Sequence, residues 1–218
     1  NFKSAWLKAV RGKSRNTDVL SFADNIDANL EKLRLSVEEG AFTFGRYTYF
    51  TITDPKKRTI CAASFPERVV HHALMNVIDP VFERYQIHDS YACRKGKGTQ
   101  AAVLRAFHFA HAKPFFLKMD VRKYFDSINH EILMGLLGRL VKDPYVMDIL
   151  KKIIDSYAVS PGRGIPIGNL TSQYFANHYL AVFDHHAKER LGCRAYIRYM
   201  DDILVFGESR GRLNDVYD

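Results

Sequence analysis

Tyr196-Ile-Arg-Tyr-Met-Asp-Asp-Ile-Leu-Val-Phe206 places two adjacent carboxylates, Asp201 and Asp202, between two short apolar runs. An apolar run, a two-residue polar turn and a second apolar run predict a β-hairpin, with the acids at its tip. Adjacent carboxylates repel, and most such pairs are solvated turns. A site that gathers acids against their repulsion does so to hold divalent cations. Mg²⁺ is typically bound by one or two carboxylates and completed by substrate phosphates. A third acid sharpens the reading. Phe115-Phe-Leu-Lys-Met119 has the pattern of a buried strand, and Asp120 follows it directly. An acid at a strand end, paired in space with an Asp-Asp hairpin, is the two-metal arrangement for in-line displacement at phosphorus. In it one ion activates the attacking oxygen and both hold charge on the transferring phosphate.

The composition agrees with an anionic partner. A formal charge of +8 favours phosphate neutralisation by Lys and Arg. With 218 residues and 47% hydrophobic content, the chain can bury a real core in one compact unit or two joined subdomains. No apolar run reaches transmembrane length and the start does not read as a signal peptide, so no membrane association is expected. Cys61, Cys93 and Cys193 are odd in number and far apart, which predicts a reduced, cytoplasmic protein. The pairs His71-His72, His185-His186 and His108/His111 lack a third ligand at zinc spacing. His71 and His72 read as packing or template-facing residues.

Along the chain, residues 18–39 carry apolar residues at helical spacing, with Gly40 as a stop. Residues 42–53, the turn Asp54-Pro55-Lys56-Lys57 and residues 58–62 predict a hairpin with a basic tip. Ser64 and Glu67 fit a capping box that opens a helix to about Tyr85. Thr99 reads as the N-cap of a helix to about Ala112, after the basic glycine loop at residues 94–98. That loop lacks P-loop spacing and reads either as a template contact or as a structural turn. Residues 129–141 and 144–156 predict two helices, the second capped by Asp143 with Pro144 at its first position. A further helix is expected from about Thr171 to Leu191.

Strand–Asp–x4–Phe together with Tyr-Met-Asp-Asp resembles the palm of a reverse transcriptase. Lys57-Arg-Thr-Ile60, Pro66-Glu-Arg-Val-Val-His-His-Ala73 and His88-Asp-Ser-Tyr-Ala-Cys-Arg-Lys-Gly-Lys-Gly-Thr99 resemble the finger motifs of that family, so residues 20–207 are covered. Most relatives carry Gln-Gly and Ser-Pro at the fourth motif. This chain has Ile167-Gly168 and Ser172-Gln173, which resembles the enzymes of diversity-generating retroelements in bacteria and phages.

The resemblance implies an α+β right-hand polymerase, with a palm built on a split βαβ antiparallel sheet. Fingers are expected at residues 1–90 and 128–170, and palm at 91–127 and 171–218. Because the chain starts at Asn1 and stops at Asp218, the thumb is expected to be absent and the unaided fragment to extend poorly. Asp120, Asp201, Asp202 and the Val121 carbonyl are the implied ligands of Mg²⁺ or Mn²⁺. Phe125 is the implied steric gate against a 2′-hydroxyl, the alternative being a core aromatic beside Tyr124. Arg58 and Lys56 (or Lys57) would hold the triphosphate, with Ile167 and Gly168 beside the nucleotide. Tyr199 and Met200 would lie under the primer terminus. Arg68 would touch the template or form an intrahelical ion pair. The implied partners are template RNA, a DNA primer, deoxynucleoside triphosphates and a small basic helical accessory protein. Two other readings compete: a retron or group II intron type reverse transcriptase, and a catalytically idle RNA-binding scaffold.

Overall fold

The computed structural model describes residues 1–53 and 56–217. In chain order the elements are α1 (Phe2–Val10), α2 (Thr17–Ala23), α3 (Ile26–Glu38), β1 (Tyr47–Thr53), β2 (Lys57–Ala63), α4 (Phe65–Tyr85), α5 (Thr99–Ala112) and β3 (Phe115–Asp120). Then follow α6 (Tyr124–Ser127), α7 (His130–Leu140), α8 (Pro144–Asp155), α9 (Leu170–His185), a π-helical turn (His186–Arg190), β4 (Tyr196–Tyr199), β5 (Asp202–Gly207) and α10 (Arg210–Tyr217). The chain divides into two compact units, Asn1–Val81 with Asn129–Ser172, and Phe82–Ile128 with Gln173–Asp218. Among the described residues no helix is long and apolar enough to cross a membrane.

In the first unit, β1 and β2 form an antiparallel hairpin in register from Tyr47 opposite Ala63 to Thr53 opposite Lys57. Its expected turn includes Asp54 and Pro55, which lie outside the described residues. Helix caps follow the sequence closely at α7 and α8. Asn129 accepts from the Ile132 amide at 2.9 Å, and Asp143 accepts from the Tyr145 and Val146 amides at 2.9 and 3.0 Å.

Two sequence expectations fail here. The helix expected over residues 18–39 is two helices, broken at Asp24-Asn25, where Asn25 leaves helical geometry at φ −138°, ψ 63°. Asn29 Nδ2 donates to the Phe22 carbonyl at 2.9 Å, supplying a partner that the break would otherwise deny. The capping box at Ser64 and Glu67 does not form. The Ser64 amide donates to the Arg46 carbonyl at 3.0 Å, and the buried Glu67 carboxylate accepts from the Gly45 amide at 3.1 and 3.2 Å. Burial raises the Glu67 pKa, an effect these backbone donors oppose. His71 is wholly buried and lies parallel to Phe44 with ring centroids 6.4 Å apart, so it packs. Burial, with the charge of His72, depresses its pKa to about 3, and the ring is neutral.

The second unit is built on a three-stranded antiparallel sheet of order β3-β5-β4. Tyr91, Ala102, Phe109, Ala195, Ile197 and Phe206 form one buried cluster, which α5 closes. Ala187, Cys193, Tyr196, Ile203, Val205 and Leu213 form another, which the π-helical turn and α10 close. Two buried faces account for the unbroken apolar run Ile203-Leu-Val-Phe206, and each fully buried side chain there contributes about 1.5–3 kcal/mol. The helix expected to reach Leu191 ends as an α-helix at His185 and loosens into the π-helical turn.

Candidate active site

The acidic hairpin forms, with its turn one residue earlier than expected. Tyr199 pairs with Asp202, so the two-residue loop is Met200-Asp201. Two-residue hairpin loops need a left-handed backbone, and Met200 takes it at φ +57°. Asp202 therefore leaves the tip and opens β5, where its ladder partner is Asp120. Directly opposed residues of an antiparallel pair hold their Cβ atoms about 4.5–5.5 Å apart, and like charges there repel. Asp120 and Asp202 are exposed and Asp201 is half-buried. Lys118 Nζ lies 3.3 Å from Asp202, but both side chains are more than half exposed and the ion pair contributes little.

Among the described residues, no group of three or more His, Cys, Asp or Glu is disposed to hold a metal ion. The ladder supplies two opposed carboxylates, with a third acid adjacent in the loop. Such a donor set fits Mg²⁺ that is completed by substrate phosphates, and does not make a preformed cage.

Beneath the acids, Tyr124 is buried and donates to the Ala176 carbonyl at 2.5 Å. Burial is the main cause holding its pKa far above the ordinary tyrosine value, and the charge of Asp201 adds to it. Phe125 is half-buried and meets the Tyr124 ring edge-on, with centroids 5.8 Å apart. The exposed Tyr199 accepts a hydrogen bond from Thr99 Oγ1 at 3.0 Å. Thr99 is thus not the N-cap of α5, a place taken by Gly98.

In the first unit, Arg58 and Lys56 are exposed near the end of the hairpin. The segment around Ile167 lies along β2. The Cys61 amide donates to the Ile167 carbonyl at 2.7 Å, and the Ala63 amide donates to Asn169 Oδ1 at 3.3 Å. Gly168 sits at φ +126°, where an added Cβ would lie 2.8 Å from Ile60 Cγ2 and 2.9 Å from the Cys61 carbonyl oxygen. Gly168→Ala is expected to destabilise the protein by about 1–3 kcal/mol through this backbone strain, read as a lower urea midpoint. Arg68 is half-buried and places its guanidinium 5.4 Å from the centroid of the Phe65 ring.

Sequence reasoning missed a buried polar network behind the hairpin. Arg198 and Asp184 have side chains that are 0% exposed and lie 2.6 Å apart. Tyr196 donates to Asp184 Oδ1 at 2.6 Å, and Asn177 accepts from Arg198 Nη1 at 3.0 Å. The available signal was a lone arginine inside an apolar strand, since charged residues are almost never fully buried unless paired.

These features define the right-hand polymerase fold class, and solved structures agree. An apo telomerase from Candida tropicalis superposes with a TM-score of 0.61 at 11% identity, covering 81% of this chain and 41% of that one. A partial Cas6-RT-Cas1–Cas2 complex gives 0.53 at 16% identity, covering 95% of this chain and 37% of that one. The sequence model of the family described as Reverse transcriptase (RNA-dependent DNA polymerase) matches residues 53–218, and the chain belongs to that family. Among curated relatives it is similar to the Putative COX1/OXI3 intron 1 protein of Saccharomyces cerevisiae, at 23% identity over 72% of this chain and 20% of the relative. It is also similar to the Group II intron-encoded protein LtrA of Lactococcus lactis subsp. cremoris, at 21% identity over 72% of this chain and 28% of the relative. The chain thus spans 20% to 28% of these relatives' length.

Proposed function

We propose that the protein carrying this chain is an RNA-directed DNA polymerase that copies a template RNA into cDNA by two-metal nucleotidyl transfer. The observation that carries this reading is Asp120 laddered opposite Asp202, with Asp201 in the adjoining turn. In this reading Asp120, Asp201, Asp202 and the Val121 carbonyl hold Mg²⁺ or Mn²⁺. Bound there, such ions would supply a lowered pKa for the primer hydroxyl and positive charge to offset the phosphates. Phe125 excludes the 2′-hydroxyl of a ribonucleotide, while Arg58 and Lys56 hold the triphosphate through charge-assisted hydrogen bonds. Tyr199 and Met200 support the primer terminus and Arg68 the template. The first unit acts as fingers and the second as palm, in a cytoplasmic enzyme.

The finer reading is a diversity-generating retroelement enzyme, error-prone at template adenines and working with a small basic accessory protein. It is supported by Ile167-Gly168 and Ser172-Gln173 at the fourth motif. Isoleucine fills volume but cannot reward correct geometry with a hydrogen bond, and hydrogen-bonded sites discriminate far more strongly than apolar ones. The rival group II intron type is favoured by the curated relatives, which include intron-encoded proteins.

Primer extension by the full-length protein, with its accessory protein, on an RNA template containing all four bases tests both levels. cDNA synthesis with errors concentrated at adenine, reduced in Ile167→Gln, is the expected result. Equal accuracy at all four bases would remove the retroelement subtype, and absence of any extension would remove the polymerase.

A further inference from the structure

The acidic hairpin rests on a guanidinium that no substrate can reach. All five N–H groups of Arg198 are placed. Nε meets both Asp184 oxygens at 2.7 and 2.9 Å. Nη2 meets Asp184 Oδ2 at 2.6 Å, the Asn177 carbonyl at 3.1 Å and Gln86 Oε1 at 3.3 Å. Nη1 divides between Asn177 Oδ1 and the Met200 carbonyl, each at 3.0 Å. The backbone is fixed as firmly, since the Arg198 amide donates to the Asp89 carbonyl and its carbonyl accepts from the Tyr91 amide, both at 2.9 Å. Burial opposes the charge, yet the hydrogen bonds and charge of Asp184 hold the guanidinium pKa above its ordinary value, so it stays protonated.

Stability alone does not account for this arrangement. A buried ion pair is often matched or bettered by apolar residues of similar volume. What apolar residues cannot supply is the bond to the Met200 carbonyl. That carbonyl belongs to the strained, left-handed residue immediately before Asp201. Rotation of the peptide joining Met200 to Asp201 would swing the acid, and the Arg198 bond resists that rotation.

We propose that Arg198 is a positioning residue, which fixes the Asp201 carboxylate for metal through the Met200 carbonyl, with Asp184 and Asn177 holding the guanidinium in aim. This rests on the assignment of Asp201 as a metal ligand. Partners that orient ligands typically change metal affinity by about 10–100-fold when lost.

The test measures Mn²⁺ binding directly, by the electron paramagnetic resonance of the free ion, in the full-length protein with primer–template and a non-hydrolysable deoxynucleoside triphosphate. Arg198→Lys keeps a charge for Asp184, but one ammonium cannot span both Asp184 and Met200. Mn²⁺ affinity is expected to fall about tenfold, with extension recovering at high Mn²⁺. If this variant does not fold, the pair Asp184→Leu with Arg198→Met removes the anchor without leaving a buried charge, and the same loss is expected. Unchanged Mn²⁺ affinity in a folded variant would overturn the proposal and leave Arg198 a purely structural role. Asp201→Asn is measured alongside. Wild-type affinity in that variant would overturn the assignment of Asp201 itself, and the proposal with it.

Discussion

Asp201→Asn is expected to leave a folded protein that extends a primer at least about a thousandfold more slowly, a loss of roughly 4 kcal/mol of transition-state stabilisation. The substitution is nearly isosteric and sits in a two-residue loop. Removing one of two adjacent negative charges also relieves repulsion, so thermal unfolding should be unchanged or slightly later. The loss would therefore be chemical. Single-turnover extension on an RNA template, beside a melting curve of the same preparation, checks both halves. Extension within tenfold of wild type would take Asp201 out of the mechanism.

Asp184→Ala is expected to have the largest effect on stability. It leaves the Arg198 guanidinium charged, wholly buried and stripped of its ionic partner. Breaking a buried pair from one side costs about 3–5 kcal/mol, a large share of the roughly 5–15 kcal/mol that holds a typical domain folded. The Tyr196 hydroxyl, which donates to the same carboxylate, is orphaned as well. Urea unfolding should show a markedly lower midpoint at unchanged slope. A midpoint near that of wild type would mean that water or another acceptor reaches Arg198.

The sequence announced the elements whose cause is local. Asp143-Pro144 opens α8 because the side chain caps amides two and three residues on. α4 spans Phe65–Tyr85, the expected bounds, although the capping box that marked its start does not form. What escaped was set by distant partners. Whether Glu67 turns back to Ser64 or out to Gly45 depends on how residues 42–47 return to the helix, which no spacing rule contains. The one-residue offset of the acidic turn has the same origin, since the Asp120–Asp202 ladder and the Arg198 bond decide which residue becomes left-handed. Asp120 and the two hairpin acids were legible as an acidic strand end and an acidic hairpin. Asp184 and Asn177 were not, because a polar residue on a helix ordinarily reads as a solvated one.

The order of the palm-like sheet bears on how the molecule behaves among its own copies. β4 has its outer side occupied, with the segment around Ser90 bridging to Arg198. β3 lies at the other margin, and no strand among the described residues pairs with its outward-facing backbone groups. An open margin of this kind is a template for another chain's strand, and natural sheets guard it with charge, lysine above all. β3 carries Lys118 near its middle, beside the exposed Phe116. The Lys118 ammonium beside Asp202 is the kind of charge that disfavours strand-on-strand aggregation at such a margin.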